Sequence, residues 1–207
     1  MGVDDGDLPG VILAGGRASR MGGGDKGLRM VGGVTLLARV IGRLGPQCGA
    51  LALNANGDAA RFGGFGLPVL ADSVAGLPGP LAGVLAGLDW AHGLGAQAVV
   101  TAAADTPFLP ADLVARLQAA VGPAGLALAA SPDAQGRMLR QPTFGLWPVA
   151  LCDDLRAALA GGLRKVVEWA DRHGAGVAEF ASLPFDPFFN VNAPEDILEA
   201  ERLAART

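Results

Sequence analysis

Apolar residues in this chain fall in short runs, each closed by glycine or a polar residue, and these alternate with longer stretches of helical periodicity. Gly10-Val11-Ile12-Leu13-Ala14, Ala50-Leu51-Ala52-Leu53, Pro68-Val69-Leu70-Ala71, the run from Ala98 to Ala103 and Leu126 to Ala130 have the length and content of buried strands. Between them, Thr35 to Leu44, Pro80 to Ala91 and Pro110 to Val121 carry apolar residues at helical spacing, two of them opening on proline. Asp58 to Phe62 predicts a short helix. This alternation requires right-handed crossovers and a mainly parallel sheet with helices on both faces, a three-layer α/β/α fold. The second half is less regular. Gln141 to Trp147 predicts a strand, antiparallel or at an edge because Pro142 donates no backbone hydrogen bond. Leu151 to Ala160 and Arg164 to His173 predict helices, and Pro194 to Ala205 a last amphipathic one with Glu195 and Asp196 in its first turn. With no repeat and no long linker, the expectation is one domain over residues 10–207 after a flexible extension, residues 1–9.

Ligands of open α/β sheets bind outside the carboxyl ends of the strands. Four of the expected strands end at chemically useful groups: Gly15-Gly16, Asn54, Asp72 and Asp105. One site lined by segments distant in sequence follows from that coincidence.

Composition narrows what the site can hold. The 207 residues are 51% hydrophobic and 17% charged, enough apolar material for a sizeable core. A net charge of −4 disfavours a long polyanion, so no nucleic-acid partner is expected, while one local basic cluster suffices for a small anion. Lysine occurs only as Lys26 and Lys165, which makes a lysine inside a glycine-rich loop informative. Cys48 and Cys152 are far apart and lack C-x-x-C spacing, and His92 and His173 stand alone, so neither zinc nor a disulfide framework is indicated. No apolar run reaches the ~18 residues of a membrane span, and the polar, acidic start is unlike a signal peptide. A cytoplasmic protein without a membrane partner is expected.

The glycine-rich stretch from Leu13 to Lys26 follows a strand directly. Glycines let backbone amides approach phosphate oxygens closely, and Arg17, Arg20 and Lys26 add positive charge for a triphosphate. Gly22, Gly24 and Gly27 fit G-x-G-x-x-G, but well past the strand end where a dinucleotide fingerprint would begin. A Walker A loop fails as well, because Gly27 and not Ser or Thr follows Lys26. A plain surface loop remains the bland alternative.

The string L-A-G-G-x-x-x-R-M-G-x-x-D-K resembles the signature of nucleotidyltransferases with a Rossmann-like fold, and within them the bacterial molybdenum cofactor guanylyltransferases. Asn54-Ala55-Asn56, Asp72-Ser73 with Pro78-Gly79-Pro80-Leu81-Ala82-Gly83, Asp105-Thr106-Pro107-Phe108 and Asn190-Val191-Asn192-Ala193-Pro194-Glu195 follow in family order, covering roughly residues 10–200. The resemblance implies transfer of GMP from GTP to the terminal phosphate of molybdenum-bound molybdopterin, with Mg²⁺ as cofactor. It also implies transient contact with molybdenum-insertion proteins and apo-molybdoenzymes.

Carried over residue by residue, Lys26, Arg20 and Asp105 form the catalytic set, with Asp105 the Mg²⁺ ligand. Leu13, Ala14, Gly15, Gly16, Asn54 and Asp72 join Lys26 and Asp105 around the nucleotide, and Gly79, Gly83, Gln141, Arg164, Asn190 and Asn192 meet the second substrate. A phosphate nucleophile is already anionic, so alignment and charge neutralisation suffice, and no nucleophile–base pair is evident in the sequence. A carboxylate suits guanine, which offers N1–H and N2–H donors, and would repel cytosine N3. Local alternatives stand beside these roles: Asp105 as a helix cap, Lys26 as a solvated lysine, Asn54 and Asp72 as strand-end caps. Asn192 could cap the last helix, with Glu195 completing a capping box. Rival functions are a molybdopterin cytidylyltransferase or sugar-phosphate nucleotidyltransferase, a catalytically silent nucleotide-binding regulator, and an NAD-dependent redox enzyme.

Overall fold

The computed structural model describes residues 8–15, 24–74 and 79–206. Arg17, Arg20 and Gly16 therefore lie outside the described residues.

The strands are β1 (Pro9–Leu13), β2 (Met30–Val31), β3 (Val34–Thr35), β4 (Ala50–Asn54), β5 (Val69–Leu70), β6 (Ala98–Ala103), β7 (Ala127–Pro132), β8 (Met138–Pro148) and β9 (Gly176–Glu179). The helices are α1 (Leu36–Leu44), α2 (Pro80–Gly93), α3 (Leu113–Ala119), α4 (Cys152–Ala160), α5 (Val166–Arg172) and α6 (Pro194–Ala204). Seven strands form one sheet in the order β5-β4-β1-β6-β8-β7-β9, with β8 alone antiparallel to its neighbours.

Successive strand residues point to opposite faces, and the two apolar clusters divide accordingly. Ile12 and Leu53 pack with Leu37, Val40 and Leu44 of α1 and with Leu113 and Leu117 of α3. Val11, Ala52 and Val99 pack on the other face with Leu81, Val84, Leu85 and Leu88 of α2 and with Leu155 and Trp169 behind it. The expected three layers are present. α1 starts where it should, because Thr35 caps it by accepting from Ala38 N at 3.1 Å. The chain leaves β1 through α1 on one face and leaves β5 through α2 on the other, so β4 and β6 flank β1. A crevice opens above β1 at that divergence.

Two features depart from expectation. Between Lys26 and α1, a stretch to which the sequence pattern assigns no element, β2 and β3 pair as a hairpin, Met30 opposite Thr35 and Val31 opposite Val34. Gly32 (φ 57°) and Gly33 (φ 78°) supply the two left-handed residues of its turn. The signal was present as Val31-Gly32-Gly33-Val34. The strand containing Pro142 is antiparallel but interior, lying between β6 and β7. Proline is tolerated there because Leu128 pairs with Gly145 while Ala129 pairs with Gln141, leaving 142–144 in a bulge outside the β7–β8 ladder. Thr101, fully buried in β6, donates to Thr143 O at 2.9 Å and accepts from Trp147 Nε1 at 2.8 Å, satisfying polar groups around the bulge.

α6 packs apart from both main clusters. Its Ala200 and Leu203 meet Val31 of the hairpin, Leu36 of α1 and Val191. No helix among the described residues is long and apolar enough to cross a membrane.

Candidate active site

A cavity of about 280 Å³ sits above the carboxyl ends of β1, β4 and β6. Leu13 and Gly15 follow from β1, Asn54 from β4, Ala103 and Asp105 from β6; Gly79 and Pro80 at the start of α2, Thr143 of the bulge and Asn190 complete its lining. A larger cavity of about 570 Å³ lies at the opposite end of the sheet, around Leu8, Ala98 and Pro148. Size does not choose between them. The smaller one gathers converging polar groups, and the larger one has only Gln97 and Gln118.

At one end of the cavity, Lys26 Nζ lies 3.3 Å from Asp105 Oδ2 and donates to Asn192 Oδ1. Both charged side chains are partly shielded, 19% and 15% exposed. Burial raises the Asp105 carboxyl above its usual range, and the Lys26 ammonium opposes that rise by charge and by hydrogen bonding. Gly27 explains how Lys26 arrives there. A Cβ at Gly27 would stand 3.2 Å from Ala104 Cβ and 3.3 Å from Leu37 Cβ, so glycine lets the loop press against the end of β6. Asp105 O accepts from Val191 N at 2.9 Å, docking the Asn190–Asn192 segment beside the carboxylate. Val191 is buried while Asn190 lines the cavity and Asn192 turns to Lys26.

That arrangement separates the two readings of Asn192. The helix cap is provided by Asp196, whose Oδ2 accepts from Asn192 N and Ala193 N, both at 2.8 Å. Asp196 occupies the third helical position; Glu195 falls one residue short of it. The Asn192 carboxamide is thus free for Lys26.

Toward the β4–β5 edge, Asn54, only 5% exposed, donates Nδ2 to Leu70 O at 3.2 Å and to Asp72 Oδ1 at 3.0 Å. Asn56 grips the same residue twice, donating to Asp72 Oδ2 at 2.7 Å and accepting from Asp72 N at 2.9 Å. Each carboxylate oxygen so engaged retains acceptor capacity for a further donor. The local alternative for these residues, simple strand-end capping, does not describe a side-chain triad joining two strands.

The second-substrate set is spread out. Gly79 is the N-cap of α2 and lines the cavity, with φ 118° and ψ 168°, values open to glycine. Gly83 is buried inside α2, where a Cβ would come within 2.8 Å of Leu13 Cδ2 and closer still to Asn54 Oδ1. Its position admits Asn54 and leaves no room for a ligand. Gln141 donates to Ser131 Oγ at 3.1 Å, away from the cavity lining. Arg164 is not brought to this cavity: its Nη1 donates to Leu159 O at 2.9 Å and Leu163 O at 2.6 Å, closing the end of α4. Thr143, Asn56, Asp25 and Arg61 belong to or support the site and were not assigned from sequence. Asn56 had a signal, the Asn-x-Asn string; Thr143 and Arg61 had none.

Residues 10–175 match the model of the MobA-like NTP transferase domain. The chain belongs to the MobA-like NTP transferase family. It is 58% identical over 203 residues to the molybdenum cofactor guanylyltransferase of Rhodopseudomonas palustris, covering 96% of this chain and 94% of that one. It is 52% identical to the molybdenum cofactor guanylyltransferase of Mesorhizobium japonicum, covering 95% and 96%. The fold extends across the family and beyond. Molybdopterin-guanine dinucleotide biosynthesis protein A from Archaeoglobus fulgidus superposes with a TM-score of 0.72 at 22% identity, covering 97% of this chain and all of that one. The 2-C-methyl-D-erythritol 4-phosphate cytidylyltransferase of Thermus thermophilus gives 0.70 at 22% identity, covering 96% and 99%. As a member of this family the chain is a nucleotidyltransferase.

Proposed function

We propose that the protein transfers GMP from GTP to the terminal phosphate of molybdenum-bound molybdopterin, forming the guanine dinucleotide form of the cofactor and pyrophosphate. The observation that carries this reading is the convergence of Lys26, Asp105 and Asn192 from three distant segments beside a cavity whose Asn54 holds Asp72. Relatives at 52–58% identity that bear the name molybdenum cofactor guanylyltransferase support it.

An acceptor phosphate oxygen attacks the α-phosphorus of GTP, a new P–O bond forms, and the bond to the β-phosphate breaks to release pyrophosphate. The nucleophile is already an anion, so the site must align the reactants and neutralise charge. Lys26 supplies a fixed ammonium for the triphosphate, held by Asp105 and Asn192 until substrate competes for it. Such a preorganised donor contributes about 10²–10³ in rate.

Among the described residues, Asp105 is the sole carboxylate lining the cavity, and no group of three or more His, Cys, Asp or Glu gathers. That donor set fits Mg²⁺, which takes one or two carboxylates and completes its shell with phosphate oxygens and water. Bound there, Mg²⁺ would neutralise phosphate charge as a Lewis acid.

Asp72, with both oxygens engaged by Asn54 and Asn56, would accept from guanine N1–H and N2–H, a pairing worth about 1–3 kcal/mol against the wrong base by analogy with groove readout. Gly79 at the α2 N-terminus and Asn190 line the cavity and would meet the acceptor phosphate. The cytoplasm is the compartment that fits GTP as substrate, and molybdenum-insertion proteins and apo-molybdoenzymes are the expected transient contacts.

The test is pyrophosphate release with molybdopterin as acceptor, comparing GTP, CTP and ATP in the presence of Mg²⁺. A GTP preference is expected. Preference for CTP would sink guanylyl transfer in favour of the cytidylyl alternative, and no turnover with any nucleotide would favour a silent binder.

A further inference from the structure

We propose that Arg61 is a positioning residue that keeps the triphosphate end and the base end of the nucleotide site in register. The proposal rests on the function argued above but concerns a residue outside the cavity lining. Arg61 lies on the 3-10 turn Ala59–Phe65, between β4 and β5. Its guanidinium forks onto Asp25, Nε to Oδ2 at 2.7 Å and Nη2 to Oδ1 at 3.4 Å. The same Nη2 donates to Asn56 O at 2.7 Å, and Nη1 donates to Asp58 O. The guanidinium carbon stands 4.5 Å from the centroid of the Phe62 ring, and Phe62 is fully buried.

Two of these partners, Asp25 and Asn56, adjoin groups that the nucleotide needs. Asp25 is the residue before Lys26. Asn56 is the residue that grips Asp72 at both its amide and its carboxylate. Bonds and hydrogen bonds therefore run without a break from Lys26 through Asp25, Arg61 and Asn56 to Asp72. The Arg61–Asp25 fork ties the end of the glycine-rich loop to the β4–β5 loop. An arginine fork suits this task, because a planar guanidinium anchored on an aromatic ring can meet a carboxylate and two carbonyls at once, which an ammonium on a flexible stem cannot. The ion pair is 26% and 21% exposed, so it is better shielded than an ordinary surface pair.

A device that sets register has a signature that local support lacks. GMP engages only the base end and tripolyphosphate only the charge end, whereas GTP needs both ends correctly spaced. In calorimetry on the full chain, Arg61→Met should weaken GTP about tenfold while weakening GMP and tripolyphosphate by less than about threefold each. Asp25→Asn should reproduce that pattern, and the double variant should be no worse than Arg61→Met alone, since both break the Arg61–Asp25 link. Arg61→Lys should recover little of the loss. Thermal melts on each variant check the fold, and Asp25→Asn serves as the probe if Arg61→Met fails to fold. Affinity for GTP within about twofold of wild type in either folded variant overturns the proposal. So does a loss borne entirely by GMP or entirely by tripolyphosphate, which would make Arg61 a local prop. The guanine reading is tested separately: if the wild type binds CTP better than GTP, that reading falls. The same comparison then runs with CTP, CMP and tripolyphosphate.

Discussion

Replacing Gly83 by alanine pits two well-understood effects against each other. Glycine in a helix interior costs about 1 kcal/mol relative to alanine, so propensity alone predicts that Gly83→Ala is stabilising. The structure predicts the opposite. The added methyl would stand 2.8 Å from Leu13 Cδ2, 3.0 Å from Asn54 Cγ and nearer still to Asn54 Oδ1. Helix α2 cannot retreat, because Leu81, Val84, Leu85 and Leu88 are buried against the sheet. Asn54 must move instead, abandoning Leu70 O and the Asp72 carboxylate. Overpacking costs about 1–3 kcal/mol, and the two hydrogen bonds together about 2–4.5 kcal/mol, the larger share from the charged acceptor. Net destabilisation of about 2–6 kcal/mol is expected, with weakened GTP binding because Asp72 loses one of its two donors. Gly42→Ala is the control: it makes the same chemical change in α1 where nothing lies within 4 Å of the added methyl. That variant should gain about 0.5–1 kcal/mol. Urea denaturation followed by the buried Trp147 and Trp169 measures both. If Gly83→Ala proves as stable as Gly42→Ala, the close approach of Asn54 to α2 is wrong.

Lys26→Ala should retain the fold, since its side chain is partly exposed, and lose about 10²–10³ in turnover; full pyrophosphate release by the variant would remove Lys26 from the mechanism. Asp72→Asn keeps the shape of the base-reading group but not its charge, so the ratio of GTP to CTP affinity should fall about tenfold, and an unchanged ratio would refute base reading by Asp72. Burial pushes the Cys48 thiol up to about 12 and, aided by the Asp89 carboxylate, the Cys152 thiol up to about 11. Raising a thiol pKa depletes the reactive thiolate, so at pH 8 the native chain should alkylate slowly with iodoacetamide, Cys48 more slowly than Cys152, and both rapidly in urea. Equal rates for Cys48 in native and denatured protein would contradict the packing around it.

Much of the fold could be read because its strands are buried on both faces and so appear as uninterrupted apolar runs ending at functional groups. β6 was delimited as Ala98 to Ala103, and α2 was recognised from Pro80 onward. The Lys26–Asp105 pairing was legible only through the resemblance, because 79 residues separate them and spacing alone carries no contact information. Pro142 misled in an instructive way: a missing backbone donor argues for an edge only when the ladder needs that donor, and the bulge removes the need. The short strands of the β2–β3 hairpin lie below the length at which periodicity speaks, although their Gly-Gly turn was visible. Arg164 and Arg61 show the limit for long side chains. One reaches back to the Leu159 carbonyl of the preceding helix and to its neighbour Leu163 and the other crosses to a distant loop, and nothing in the local sequence distinguishes them.

The contact between Lys26 and Asn192 also bears on how the enzyme is made. Lys26 emerges from the ribosome early, and the matching segment that holds it comes 166 residues later. Domains begin to fold during synthesis from their N-terminal side, so β1, β4, β5 and β6 can assemble while Asn192 and the α6 turn that orients it are still untranslated. A nascent chain at that point has a sheet and a glycine-rich loop, but the Asn190 wall of the cavity is missing and Lys26 has yet to be seated. Seating of Lys26 is thus deferred until the segment carrying Asn192 has been made.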